Sequence, residues 1–181
     1  MATKKASPTW SDVKGALSNF DRAALLALVQ GLYAGVKENR DFLHARLDLG
    51  SDVLGPYKSA IARWISPDVY RNQGTSVSKA KKAIADYKKA IGQADALVEL
   101  MVYYCEQASG FCNEFGMEDE GYFDALVRMF ELALKTSSSL PEIERLALRE
   151  RLAAVGYTCH NFGYGVGDEM DDLQEKYGLN N

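Results

Sequence analysis

The chain has 181 residues, near the usual size of one domain, and its 47% hydrophobic and 25% charged residues exclude the disordered and collagen-like classes. A domain of this length buries roughly 70% of the surface that its unfolded chain exposes, so folding needs neither disulfide nor metal. The net charge of −4 hides a split: residues 1–92 carry 15 Lys and Arg against 8 Asp and Glu, net +7, and residues 93–181 carry 6 against 17, net −11.

No window holds the roughly 18 consecutive apolar residues of a membrane-spanning helix, and stretches such as 23–29 are far shorter. The first eight residues carry Lys4 and Lys5 without the hydrophobic stretch of a secretory leader. A cytoplasmic protein is expected, with a disordered tail over 1–8 and a single all-helical domain over 9–181. The cysteines Cys105, Cys112 and Cys159 are odd in number and are expected as reduced thiols. On one helix Cys105 and Cys112 would stand roughly 10 Å apart, beyond the limit of about 7 Å for a bridge.

The elements follow in chain order. Thr9 caps a short first helix reaching about Ser18, and Asp21 caps a second carrying Leu25, Leu28, Val29, Leu32 and Tyr33 at three- and four-residue spacing. A third covers about Glu38 to Leu49, and Gly50-Ser51-Asp52 makes a turn and cap. A fourth helix bears Tyr57, Ile61, Trp64 and Ile65 up to the Ser66-Pro67 break. The polar stretch 68–76 is the longest loop. Helices then cover about Val77 to Ile91, Ala94 to Phe115 and Asp119 to Thr136. Pro141 opens one to about Gly156, and the last runs from Gly167 to Tyr177. The four prolines, Pro8, Pro56, Pro67 and Pro141, all lie where a helix can begin. Sustained alternation and hairpin dipeptides are absent from the sequence, so strands are not expected.

The expected fold is all-α: eight or nine helices packed as hairpins, either a multi-helix bundle or a short irregular HEAT- or TPR-like stack. Ala-Leu-Val recurs from Ala27, Ala96 and Ala125 at uneven spacing, which is not a regular repeat.

Several segments taken together resemble a family of small helical bacterial proteins known only as a domain of unknown function. They are 21–33 (DRAALLALVQGLY) with 39–43 (NRDFL), 56–58 (PYK), 79–90 (KAKKAIADYKKA) and 163–169 (GYGVGDE). The resemblance covers most of the chain and implies a helical fold, with no activity or functional residues. The family's last segment reads Gly-aromatic-Gly-aromatic-His-Asp, and here Val166 and Gly167 stand where the aromatic and the His would be.

Five lysines, Lys79, Lys81, Lys82, Lys88 and Lys89, share one predicted helix whose other side is Ala80, Ile84, Tyr87 and Ile91. Such a face either meets water or contacts phosphates through counterion release. The acidic clusters Glu118-Asp119-Glu120 and Asp168-Glu169 with Asp171-Asp172 suit helix starts or a basic partner, and lack the spacing of a calcium loop. His44 and His160 are the only imidazoles. Cys159 beside His160 suggests a thiol and base, although adjacent residues generally point apart. A zinc site from Cys112, Cys159, His160 and a carboxylate lacks paired short spacings. The segment 163–167 reads as a tight turn bearing an aromatic side chain.

These features favour a non-enzymatic protein-interaction or scaffold module, binding an oppositely charged partner or another copy of itself. Nucleic-acid association through the lysine helix is the alternative, followed by a metal- or thiol-dependent enzyme around Cys159 and His160. No catalytic residue, metal or cofactor is assigned, and no membrane partner is expected.

Overall fold

The computed structural model describes residues 7–50 and 52–179. Among these are nine α-helices, one 3₁₀ turn and no strand. The helices are α1 (Trp10–Leu17), α2 (Arg22–Gly35), α3 (Lys37–Arg46), α4 (Gly55–Ile65), α5 (Val77–Ala90), α6 (Ala94–Phe115), α7 (Glu120–Ser137), α8 (Glu142–Cys159) and α9 (Val166–Lys176), with the 3₁₀ turn Val69–Arg71 between α4 and α5. The all-helical expectation holds. Residues 1–6 of the expected tail and Ser51 of the expected turn lie outside the described residues.

Local chemistry explains most boundaries. The Asp12 carboxylate accepts from both the Thr9 N–H and the Thr9 hydroxyl at 2.7 Å, tying the first turn of α1 to its cap. Asp21 accepts from the Ala24 N–H at 2.7 Å and starts α2. Pro56 stands in the first turn of α4. Two boundaries depart from the sequence expectation. Helix α3 ends at Arg46, short of Leu49, because Asp48 enters the left-handed region at φ 52° and the Leu49 N–H folds back to the His44 carbonyl at 2.8 Å. Helix α8 runs three residues past Gly156, to Cys159. Gly156 is a packing position there: the Gln174 side-chain amide lies 2.3 Å from where a Cβ would stand.

The chain divides into two compact units, up to Leu43 and from His44 onward. The first contains α1, α2 and most of α3. Within it the Asn39 side-chain amide donates to the Leu32 carbonyl at 2.8 Å, and Lys37 pairs with Asp41 at 2.6 Å. No residue of α1 or α2 is buried.

The second unit is a bundle around α6, which packs against α4, α5, α7 and α8; α4 lies on α5, and α9 lies on α7 and α8. Buried residues run almost around the circumference of α6, from Leu97, Val98 and Leu100 through Met101, Val102 and Tyr104 to Phe111 and Cys112. A helix apolar on every side belongs at a bundle centre. Tyr122 of α7 donates its hydroxyl to the Ile65 carbonyl at 2.5 Å, closing the end of α4. Tyr104, equally buried, has a hydroxyl with no hydrogen-bond partner among the described residues.

One charged cluster penetrates this packing. Glu99 of α6 accepts from Lys58 of α4 at 2.6 Å and from Arg151 of α8, whose Nε and Nη2 also reach Glu106 at 2.7 and 2.8 Å. Burial pushes the Glu99 carboxyl up, but the hydrogen bonds and charges of Arg151 and Lys58 outweigh it and hold the group below its usual value.

Glu99→Gln is expected to lower unfolding free energy by about 1–2 kcal/mol at neutral pH. Because the folded-state pKa is depressed, the Glu99 contribution is complete above the ordinary carboxylate value of 4.5 and is lost as pH falls through the lower one. Urea denaturation at a series of pH values should show wild type and variant converging in acid. In the same assay Tyr122→Phe should cost about 1–2 kcal/mol, whereas Tyr104→Phe, which removes a hydroxyl without a protein acceptor, should be neutral or stabilising.

Candidate functional site

The five lysines expected to form one exposed surface lie on α5 in different environments. Ala80, Ala83, Ile84, Tyr87 and Ala90 are buried, so the amphipathic reading holds. Lys82 pairs with Asp86 at 2.5 Å. The Lys79 ammonium sits 3.8 Å above the Trp64 ring, and the Arg63 guanidinium lies 4.3 Å from the same ring. Both cations stack on the same ring, and Lys79, the one on α5, ties that helix to α4. Lys81, Lys88 and Lys89 have no ion-pair partner among the described residues, and only Lys88 and Lys89 of these are fully exposed.

The thiols are free and buried. Burial pushes Cys112 and Cys159 up to about 12 and raises Cys105 well above its usual value, so none is a thiolate at neutral pH. Cys159 is 0% exposed, whereas His160 is exposed and lies 3.3 Å from Asp171. The two neighbours therefore point apart. No group of three or more His, Cys, Asp or Glu among the described residues is arranged to hold a metal ion.

The acidic clusters serve helix starts. Asp119 accepts from the Gly121 and Tyr122 N–H groups at 2.8 and 3.3 Å as the N-cap of α7, and Asp168 and Glu169 occupy the first turn of α9. Of the expected turn over 163–167, residues 163–165 form it and Val166 and Gly167 already belong to α9; Tyr164 and Gly165 are both at positive φ, and the Tyr164 hydroxyl donates to the Glu118 carbonyl at 3.0 Å. Gly167 is required because a Cβ would stand 2.4 Å from the His160 carbonyl oxygen. Nearby, an open cleft of about 580 Å³ runs between the 67–75 loop and the end of α6, lined by Pro67, Val69, Phe111, Phe115 and Met117.

The feature that the sequence reading missed lies in the first unit. Between Arg22 and Lys37, α2 and its C-cap carry no charged side chain, and Gln30 is the only amide. The face Leu25, Leu28, Val29, Leu32 and Val36 is exposed throughout, with Leu32 at 53%. The Ala-Leu-Val tripeptide makes the contrast internal. In α6 and α7 its Leu97, Val98, Leu126 and Val127 are buried; in α2 Leu28 and Val29 are each 41% exposed. Trp10, Val13 and Phe20 extend the exposed apolar surface of this unit. The signal available in the sequence was the missing charge: a surface helix has a polar face, and α2 has none.

Among the described residues no helix is long and apolar enough to cross a membrane. Set against protein-family models, curated proteins and solved structures, the chain matches none.

The buried thiols make one clear expectation. In native protein at neutral pH, a thiol reagent should label all three cysteines slowly, on the timescale of unfolding, and should titrate three equivalents at once in denaturant. Rapid labelling of Cys159 in the native state would contradict its placement.

Proposed function

We propose that this protein is a non-enzymatic interaction module that self-associates through α2, a second copy covering the Leu25–Leu28–Val29–Leu32 face. The carrying observation is a helix without charged residues beyond Arg22, none of whose residues is buried. Water in contact with such a face disfavours the monomer by roughly 25 cal/mol for each Å² of apolar surface that association would remove.

Charge selects the occupant. The face is uncharged, so two copies meet without a like-charge pair. Arg22 sits at the N-terminal, positive end of its own helix dipole, an unfavourable position. In an antiparallel pair each Arg22 lies beside the partner's helix C-terminus, where a cation is favoured, and a two-fold axis satisfies both copies equally. The buried thiols and the outward-facing His160 support a binding role over catalysis. The nucleic-acid reading has less support, since Lys79 and Lys82 are engaged within the chain.

Sedimentation at micromolar concentration should show a dimer that persists at high salt, because an uncharged contact is not screened. Leu28→Glu with Leu32→Glu should raise the dissociation constant on the order of a hundredfold by placing four carboxylates in the contact, while leaving the helical circular dichroism intact. A monomer in both low and high salt would overturn the proposal.

A further inference from the structure

We infer that the second unit contains a binding site for a phosphate-sized oxyanion, built on Arg145 and Arg149 of α8. The two arginines stand one helical turn apart, on the same side of the helix, and line a half-open hollow of about 180 Å³. Its other walls are Leu134, Ser137 and Ser138 at the end of α7, and Tyr177 and Leu179 after α9.

Both arginines are half-buried, and among the described residues neither has an ion-pair or hydrogen-bond partner. This sets them apart in a half of the chain with a large acidic excess. Nearby acceptors are already engaged. Glu131, hydrogen-bonded to Tyr177 at the rim, is held by Lys176 at 2.7 Å, and that lysine keeps its carboxyl below the usual range. The last carbonyls of α7 accept from a run of serine hydroxyls: Ser137 to Leu134 at 2.8 Å, Ser138 to Lys135 at 2.7 Å and Ser139 to Thr136 at 2.8 Å. If the arginines served only to cap α7, hydrogen bonds from Arg145 or Arg149 to its last carbonyls would be present, and among the described residues neither arginine makes one.

Two like charges one turn apart repel each other, and partial burial sharpens the repulsion. An anion between them removes that cost. The guanidinium fork matches an oxyanion in two parallel hydrogen bonds, and a phosphate near −2 balances two arginines where a carboxylate balances one. The volume selects a small group, since pockets for drug-sized ligands begin at about 300 Å³. The ligand class is inorganic phosphate or a small phosphomonoester.

The test is calorimetric titration of the full chain with inorganic phosphate and, separately, with acetate at matched ionic strength, accompanied by thermal melts. Phosphate should bind and raise the melting temperature, with acetate at least about tenfold weaker. Affinity should fall as acid converts the phosphate dianion to the monoanion. Arg145→Gln and Arg149→Gln should each weaken phosphate about tenfold or more, and Arg149→Lys should recover only part of the loss. No heat and no melting shift with phosphate over sodium chloride of equal ionic strength would overturn the site. So would unchanged affinity in the double Gln variant, which would place binding elsewhere. If a variant fails to fold, the wild-type contrast between phosphate, acetate and chloride decides by itself.

Discussion

The second unit depends on the enclosure of α6. This helix of 22 residues carries Asp95, Glu99, Glu106 and Glu114 and not one basic residue. Its apolar positions require neighbours on nearly every side, while two of its carboxylates fall in the middle of the span that those neighbours must cover. A carboxylate enters such packing only with its charge matched and its oxygens hydrogen-bonded. Lys58 and Arg151 meet both conditions from opposite neighbours, and Arg151 spans Glu99 and Glu106 together. The guanidinium fork therefore sets where α8 lies along α6. Leu148, Leu152 and Val155, which bury only one narrow side of α8, would fix that register less sharply by themselves.

Helix α2 shows the same kind of sequence left exposed. Like α6 it is apolar around its circumference, and it contains the same tripeptide, yet its residues remain accessible. Helix propensity accounts for part of its formation, through Ala23, Ala24, Ala27 and the leucines, and the Asp21 cap adds about 1 kcal/mol. Helices this short owe most of their stability to packing of one face. An α2 without a partner is thus the least secure element of the chain, which is why association and stability of this segment should be coupled.

Helix existence and type were legible throughout, because the apolar spacing of α4 to α7 is unambiguous and Thr9, Asp21 and Asp119 mark starts with side chains that cap. Two ends were misplaced for tertiary reasons. Gly156 looks like a terminator but lies inside α8 against the Gln174 side chain of α9, and the end of α3 depends on Asp48 adopting a left-handed conformation that no local signal announces. The lysine surface was legible as a charge run, while the engagement of Lys79 with Trp64 required the fold of α5 onto α4. The apolar pattern of α2 was visible too. Periodicity says that a face is apolar, never what covers it, so α2 and α7 read alike until burial separates them.

The division into a basic first half and an acidic second half is a property of the sequence that the fold partly dissolves. Lys58 belongs to the basic half and neutralises Glu99 of the acidic one; Arg151 and Lys176 do the same for Glu106 and Glu131 within the acidic half. A charge paired in this way contributes to packing and little to the outward field. What remains for recognition is the set of charges without an internal partner, and these do not follow the division. Arg145 and Arg149 form a locally positive hollow inside the acidic half, and the uncharged α2 face lies in the basic one. Net charge by half therefore describes how the chain is composed, whereas recognition follows from pairing, residue by residue.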